Sequence, residues 1–234
     1  MKLAILAVFV APIAFAQPDI VTSPVDHLYI PEGFDSNDAV EVIVTGEFSN
    51  PCFSRNNVEV KIQDDLIDIK VTAIAPKSFL LGSRACPDMI VPFKEVVTLG
   101  NLQGGEYQIK VNKGSQYAIQ DQLVIAESSS SAMDDHVYAA VEWVERKSAN
   151  SFKLHGMRYS SCFELDKVEV ISNKKDTLSV LPVMKKVSDF CPRKGMPVVY
   201  DVKLDFSSLK SSKSLLHVRT MDGKSINSIV SVEE

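Results

Sequence analysis

The sequence predicts an all-β protein made of two tandem antiparallel β-sandwich domains. Three observations predict this fold. Apolar residues alternate with polar ones over many short segments, turn residues separate these segments, and one stretch of sequence occurs twice. Apolar side chains at every second position are typical of a strand with one buried face. Strands of this length and spacing, without an amphipathic helix between them, favour sandwiches.

The repeated stretch defines the domain organisation. Residues 46–60 read GEFSNPCFSRNNVEV, and residues 156–170 read GMRYSSCFELDKVEV. Both fit G-x5-C-F-x4-V-E-V, and six of the fifteen positions are identical. The matching positions are a glycine, a cysteine, an aromatic residue and a V-E-V strand, so we interpret the chain as a duplicated β-domain.

The first domain is predicted to contain seven strands. The clearest is the second, in which Val40, Val42 and Val44 alternate with residues that face the other way. Asn50-Pro51 and Asp64-Asp65 mark the turns that follow. The strands are expected around residues 25–29, 40–45, 58–63, 67–73, 91–99, 107–111 and 117–125.

The second domain repeats the pattern of the first. Asp222-Gly223 is a hairpin signal before its closing strand. Its strands are expected around residues 135–138, 152–154, 168–170, 178–180, 198–206, 216–218 and 226–232. Asp135-His136-Val137-Tyr138 is interpreted as the counterpart of the segment that contains His27, which makes the two histidines equivalent.

The chain begins with a predicted signal peptide. Lys2 precedes an apolar run over residues 3–16, which ends in Ala14-Phe15-Ala16. A basic start, an apolar centre and a small-x-small cleavage site are the three parts of an export signal. The predicted boundaries are a signal peptide over 1–16, a first domain over 17–126 that begins with an extended leader over 17–24, a Ser-rich linker over 127–133 and a second domain over 134–234.

The predicted location follows from this leader. We expect an exported protein, located in the periplasm, at the cell surface or in the medium. No segment after the leader is apolar for the roughly 20 residues that a bilayer span needs. We therefore expect a protein that does not span the membrane.

Four cysteines support export, because an even number in an exported chain favours disulfides over metal or redox chemistry. Each copy of the repeat holds one pair, with separations of 34 and 29 residues. Four cysteines allow three pairings, and the repeat selects Cys52–Cys86 with Cys162–Cys191. Each pair is expected to join two loops at one end of its sandwich.

A short segment resembles a known structural feature. Residues 102–107, LQGGEY, resemble the turn and tyrosine corner of immunoglobulin-like and fibronectin type III domains. In those domains the tyrosine hydroxyl bonds back to the backbone near the start of a core strand. The resemblance implies an immunoglobulin-like sandwich and such a bond from Tyr107. The second copy departs from the pattern, with Leu215 aligned to the tyrosine.

The sequence contains no pattern that indicates catalysis or a cofactor. There is no nucleophile elbow, zinc-protease helix, calcium loop, phosphate loop or C-x-x-C pair. The S-x-x-K match at Ser172 lies in a predicted turn and lacks its companion motifs. His27, His136, His155 and His217 are scattered, whereas a metal site needs three or four converging ligands. We predict a protein that is not an enzyme and holds no metal or cofactor.

Charge is distributed unevenly between the copies. Residues 18–126 hold 15 acidic and 8 basic residues, a net of −7, and residues 134–234 hold 14 and 16, a net of +2. This asymmetry either orients the protein against a partner or reflects two surfaces that diverged after duplication. The absence of a strongly basic domain argues against nucleic acid as a partner.

The predicted function is binding or structural, with a protein or an envelope polymer as the partner. Loops on a rigid sandwich are the usual recognition surface of such folds. The candidate binding residues in these loops are Lys77, Arg84, Asp88, Lys185, Lys186, Arg193 and Lys194. A looser basic group is either a set of contacts for an anionic polymer or membrane surface or a set of solvated loop charges; it consists of Lys174, Lys175, Lys185, Lys186, Arg193 and Lys194.

One alternative is a two-domain periplasmic chaperone that pairs an exposed edge strand with its client. The near equivalence of the two predicted domains and their paired disulfides argue against it. Another is an accessory domain of a hydrolase or inhibitor, for which no residues are identified.

Overall fold

The computed structural model describes residues 19–76 and 86–232, with residues 193 and 194 as backbone only. The predicted signal peptide lies outside the described residues. Within them the secondary structure is entirely β, and there is no helix long and apolar enough to cross a membrane. The strands are β1 (Asp19–Thr22), β2 (Val25–Tyr29), β3 (Val40–Phe48), β4 (Ser54–Gln63), β5 (Leu66–Ala75), β6 (Val91–Gly100), β7 (Gly105–Val111), β8 (Ile119–Ile125), β9 (Val137–Tyr138), β10 (Ala140–Arg146), β11 (Ser151–Ser160), β12 (Phe163–Ser172), β13 (Thr177–Lys186), β14 (Arg193–Lys203), β15 (Lys213–Thr220) and β16 (Lys224–Ser231).

The strands form two sandwich-like halves, β1–β8 and β9–β16, as the sequence predicts. The first half pairs a five-stranded sheet of β1, β4, β5, β7 and β8 with a three-stranded sheet of β2, β3 and β6. The second half repeats this with β9, β12, β13, β15 and β16 against β10, β11 and β14. The two halves therefore share one topology, strand for strand.

Each five-stranded sheet contains one parallel pair, so the sheets are not purely antiparallel. β5 runs parallel to β7, and β13 runs parallel to β15. Between β5 and β7 the chain crosses to the other sheet to form β6. After that crossing, β7 lies beside β5 and runs in the same direction, and a parallel pair requires such a crossover.

The segment predicted as an extended leader contains a strand. β1 pairs with the second part of β5 from Asp19↔Ala75 to Thr22↔Thr72. β9 occupies the corresponding place on β13. Short edge segments such as these have little periodicity of their own, so pairing to a neighbour decides their conformation.

The core of each half lies between its two sheets. In the first half, every second side chain of β3 and β5 points into this core. Val42, Val44, Ile67 and Ile69 are at most 2% exposed. The second half has the same arrangement, with buried side chains at Leu178, Val180, Leu216 and Val218. Burial of apolar area in these two cores is the main stabilising contribution.

The glycine that the two copies of the repeat share is required for a steric reason. Gly46 of β3 pairs with Val25 beside a bulge in β2, and Gly156 of β11 pairs with Val141 beside a bulge in β10. A Cβ at Gly46 would collide with the carbonyl oxygen of Pro24, and one at Gly156 with that of Ala140. Both halves therefore need glycine where the backbones approach closely.

The predicted equivalence of His27 and His136 is wrong. His27 lies in β2 and pairs with Thr45, whereas His136 precedes β9 and lies outside the matching strand. The residue that corresponds to His27 is Trp143 of β10, which pairs with His155. The sequences around the two histidines are similar, but they occupy different places in the fold.

The tyrosine corner forms in the first half. The Tyr107 hydroxyl donates to the carbonyl oxygen of Gln103 at 3.0 Å, as the resemblance implies. In the second half, strand register places Ser214 at the corresponding position, not Leu215. Leu215 points to the outer face of its sheet, because its neighbour Leu216 is the residue that enters the core.

The halves pack against each other through outer sheet faces. The outer face of the first three-stranded sheet contacts the outer face of the second five-stranded sheet. Tyr29, Ile43 and Leu215 form a buried apolar cluster at this interface. Burial, followed by the nearby carboxylates of Asp176 and Asp26, raises the pKa of Tyr29 to about 12.

Buried polar groups also join the two halves. Arg219 of β15 donates hydrogen bonds to both carboxylate oxygens of Asp38, to Asp134, and to the carbonyl oxygen of Gly33 at 3.2 Å. Its guanidinium also lies 5.5 Å from the ring centre of Phe34. This single side chain therefore links the two halves and the segment between them.

Two histidines contribute further contacts between the halves. His27 Nε2 donates to Asp176 Oδ2 at 2.8 Å. His217 is fully buried, and its Nδ1 donates to Asn227 Oδ1 at 2.9 Å. Asn227 in turn donates from Nδ2 to Glu41 Oε1 at 2.6 Å. His27 therefore bonds directly across the interface, and Asn227 connects His217 to Glu41 of the first half, while the buried Nε2 of His217 has no hydrogen-bond partner among the described residues.

The Ser-rich segment over 127–133 is hydrogen-bonded to its surroundings. The Ser128 N–H donates to Ser36 Oγ at 3.1 Å, and Asn37 donates to the carbonyl oxygen of Ser130 at 3.1 Å. Ser129 donates from its N–H to Asp135 at 2.8 Å. Hydrogen bonds from Ser129, Asn37 and Ser130 lower the pKa of Asp135. The connection between the halves is thus tied to the first half.

Candidate binding site at the second disulfide

Both halves contain one disulfide, with the pairing expected from the repeat. Cys52–Cys86 joins the β3–β4 loop to the β5–β6 loop, and Cys162–Cys191 joins the β11–β12 loop to the β13–β14 loop. Each bond fixes two loops at one end of its sandwich. The two disulfides fit an oxidising compartment.

The structure describes the side chains of only three of the predicted loop residues, Asp88, Lys185 and Lys186. Lys77 and Arg84 lie outside the described residues, and Asp88 is exposed beside the first disulfide. The other candidates lie in the second half. Lys185 and Lys186 end β13, and Arg193 and Lys194 begin β14, where only their backbone is described.

Lys185 and Lys186 lie beside the second disulfide. Lys186 pairs in register with Phe163, the residue that follows Cys162. Lys185 forms a 3.1 Å ion pair with Asp166, and Lys186 forms a 2.7 Å ion pair with Asp189. Exposed pairs of this kind contribute little to stability, so both ammonium groups can exchange partners.

An apolar depression opens next to this disulfide. A cavity of about 490 Å³ is lined by Tyr159, Ser160, Phe163, Cys191, Gly195 and Met221. A smaller one of about 160 Å³ shares several of these residues and extends inward to Met157, Met184 and Tyr200. We call this surface the methionine groove and define it by Met157, Tyr159, Phe163, Met184, Tyr200 and Met221.

Phe190 stands beside the methionine groove in the β13–β14 loop. Its side chain is 81% exposed, the largest exposure of any large apolar residue in the described chain. Cys191, the next residue, anchors it to the β11–β12 loop. Val187 and Tyr159 nearby are close to half exposed. Exposed apolar residues grouped in this way mark interaction surfaces.

Charges of both signs lie around the groove, because Lys185 is paired with Asp166 and Lys186 with Asp189. Arg158 lines the inner cavity, and Lys185 and Lys186 lie at the same end of the sandwich. Burial raises the pKa of Tyr200, and the positive charge of Arg158 opposes this rise. The tyrosine is therefore neutral at physiological pH, and the groove combines an uncharged floor with a rim that carries Arg158 and the two ion-paired lysines.

The histidines are not brought together. His27 and His217 lie in the interface between the halves, His155 stacks on Trp143, and His136 is exposed. Within residues 19–76 and 86–232 no group of three or more His, Cys, Asp and Glu side chains is placed to hold a metal ion. The four cysteines all lie in disulfides.

Sequence reasoning missed the methionine groove. Its three methionines come from β11, β13 and the β15–β16 turn, and they are separated by 27 and 37 residues in the chain (157, 184 and 221). No local pattern connects positions so far apart. The signals that were available, cysteines and lysines in nearby loops, drew attention to this end of the second half but not to its apolar surface.

These features define an all-β protein of two sandwich-like halves, each with one disulfide. A family model described as the ORF11 beta-sandwich domain matches residues 42–120, which run from β3 into β8 of the first half. The match covers 79 of the 234 residues, about a third of the chain. No curated protein and no solved structure matches the chain.

Proposed function

We propose that this is an exported, non-enzymatic binding protein of the periplasm, cell surface or medium that recognises a partner protein at the second disulfide. The observation that carries the proposal is Phe190, exposed over 81% of its side chain beside the methionine groove. Fully burying such a side chain contributes roughly 1.5–3 kcal/mol. A partner that covers Phe190 gains this contribution.

The scaffold holds the exposed apolar side chains in place, which favours specific recognition of a partner. The loop that carries Phe190 is held by Cys162–Cys191, so little conformational entropy is lost when it binds. Methionine side chains adapt to different apolar shapes, which suits a groove that receives side chains from another protein. Loops on a rigid sandwich are common positions for such contacts.

The expected partner is a peptide segment with apolar anchors and acidic neighbours. Apolar anchors fit the groove floor of Met157, Met184 and Met221. Acidic neighbours would pair with Arg158 and would compete with Asp166 and Asp189 for the two rim lysines, since complementary charge increases the rate of association and selects partners. A basic segment would be repelled by Arg158, and a highly polar segment would leave the apolar floor uncovered.

Selection of short peptides from a displayed library on the purified protein tests this proposal. The selected peptides are expected to carry apolar residues flanked by Asp or Glu. Phe190→Ser should weaken their binding at least about tenfold, equivalent to 1.4 kcal/mol. Val124→Ser is the matched control, because Val124 is 61% exposed on β8 in the first half.

The proposal is wrong if Phe190→Ser binds the selected peptides as well as the wild type does, or if both variants weaken binding equally. Circular dichroism on each variant checks that it is folded. Peptides enriched in Lys or Arg would also contradict the charge argument.

A chaperone that pairs an edge strand with its client is the second candidate. β14 (Arg193–Lys203) has 11 residues, and among the described strands it pairs only with β11. Its other edge therefore presents free backbone groups that could accept a client strand. This function predicts co-purification with a subunit whose own fold lacks a strand, and Phe190→Ser should not affect it.

A further inference from the structure

A row of side chains crosses the outer face of the second three-stranded sheet. Trp143 of β10 pairs with His155 of β11, which pairs with Val199 of β14. Trp143 is 49% exposed and Val199 48%. The indole and imidazole rings stack with centres 3.6 Å apart and an angle of 6° between their planes. We call these three residues the aromatic row.

A charged row runs next to the aromatic row. Glu145 pairs in register with Lys153, which pairs with Asp201. Glu145 Oε2 accepts a hydrogen bond from His155 Nε2 at 2.9 Å, and the carboxylate also pairs with Lys147. Lys153 lies 3.7 Å from Asp201. Hydrogen bonds to Lys147 and His155 lower the pKa of Glu145, so it stays ionised.

The same face of the first half is covered by the second half. There the positions of Trp143 and Glu145 are taken by His27 and Tyr29, which contact Asp176 and the buried Leu215 cluster. The fold therefore uses this face as a docking face in one half. In the second half no described part of the chain covers it.

A second copy of the chain does not suit the uncovered face. To repeat the internal contact, the copy would present the outer face of its first five-stranded sheet. Strand register places Gln108 and Lys110 there, where the second half has Leu215 and His217. Those polar side chains cannot supply the apolar contact that holds the two halves together.

We propose that the aromatic row and the charged row bind a neutral oligosaccharide. The indole face that is not stacked on His155 offers a flat apolar surface to the C–H face of a pyranose ring, and the charged row offers donors and acceptors to its hydroxyls. Glu145 and Asp201 are ion-paired with Lys147 and Lys153. Lys203 on the same face is therefore the one nearby charge of the described residues outside these pairs, and the low net charge favours an uncharged ligand over a strongly charged one. The three strands span about 10 Å, enough for two sugar rings.

Fluorescence titration tests this proposal directly, because Trp143 is the only tryptophan in the chain. The probes are cellohexaose, maltohexaose and the hexamer of N-acetylglucosamine, with heparin as the anionic comparison. We expect a saturable change in tryptophan emission with at least one neutral sugar and none with heparin. Calorimetry then measures the same sugar with the variants.

Trp143→Ala should weaken sugar binding at least about tenfold. Asp201→Asn, which leaves the aromatic row intact, should weaken it less. Phe190→Ser is the matched control and should leave sugar binding unchanged, which separates this site from the methionine groove. No saturable response to any neutral sugar, tighter binding of heparin, or full binding by Trp143→Ala would overturn the proposal.

Discussion

Arg219 in the second half and Asp38 in the first half form a bidentate ion pair that is buried between the two sandwiches. The Arg219 side chain is 5% exposed and that of Asp38 1%. Although burial disfavours its charge, the hydrogen bond to Asp38 and the nearby charges raise the pKa of Arg219. Asp134, just after the Ser-rich segment, is the third member of this cluster.

Replacement of Arg219 by Ala should destabilise the protein strongly. It leaves the carboxylates of Asp38 and Asp134 buried without their partner, and breaking a buried pair in this way costs about 3–5 kcal/mol. Urea denaturation measures the change in the free energy of unfolding. Arg55→Ala, which removes an exposed ion pair with Glu95, is the control and should cost about 0–1 kcal/mol. Equal losses in the two variants would contradict the role assigned to Arg219.

Stability should fall as the pH drops below about 6.5, in part because of His217. Burial lowers the pKa of its imidazole, opposed by the hydrogen bond to Asn227 and the charge of Glu41. Arg219, Asp38 and the Phe34 ring also lie near it. The unfolded chain then binds a proton that the folded protein does not, so the free energy of unfolding decreases with falling pH.

The measurement is urea denaturation of wild type and His217→Gln between pH 7.5 and 5, a window chosen around the ordinary histidine pKa of about 6.5. The difference between their slopes should approach, and not exceed, about 1.4 kcal/mol per pH unit, the value for one proton. The sign is fixed by the lowered pKa, with wild type losing more stability on acidification. Parallel curves would show that His217 does not titrate on unfolding in this range.

Substitution of the repeated glycine should have matching effects in the two halves. Gly46→Ala forces a Cβ against the carbonyl oxygen of Pro24, just before β2, and Gly156→Ala forces one against that of Ala140 in β10. Because the backbone on both sides is held in place by sheet pairing, we expect a loss at or near the upper end of the range of about 1–3 kcal/mol for overpacking in each case. In Gly195→Ala the added Cβ meets only the tip of Met157 at 3.4 Å, and thermal denaturation should detect a much smaller change.

Removal of the second disulfide should lower stability and loosen the candidate binding site. Cys162→Ser with Cys191→Ser opens a loop of 29 residues, which costs roughly 3–4 kcal/mol by the chain-entropy estimate. Peptides selected on the wild type should bind this variant more weakly even under conditions in which it is folded. Non-reducing peptide mapping checks the pairing, and a Cys52–Cys162 peptide as the main species would contradict it.

The fold class, the duplication and the cysteine pairing could be predicted because each has a local signature. Period-two alternation reports which side of a strand is buried, and it gave the right inner face for residues such as Val42 and Ile67. The motif around Cys52 and Cys162 identified equivalent loops. Tyr107 was identified because its corner is built from neighbouring residues.

Equivalences outside the motif could not be predicted in the same way. His27 and His136 have similar neighbours but lie in different strands, and only the register of β2 and β10 shows that Trp143 is the counterpart of His27. Leu215 was assigned to the tyrosine position because the sequence alone does not show the register of β15. A shift of one residue moves a side chain to the opposite face of a sheet.

The sequence by itself determined that this chain forms strands, that they build two related sandwiches and that each sandwich holds one disulfide, since these properties depend on periodicity and on spacing within each copy. The tertiary structure decided which outer faces meet, where Arg219 is buried, and that Met157, Met184 and Met221 share one groove. Outer faces look alike in sequence, because a leucine that packs against another half and a leucine that enters a core follow the same alternation. Only the packing of the two halves distinguishes them.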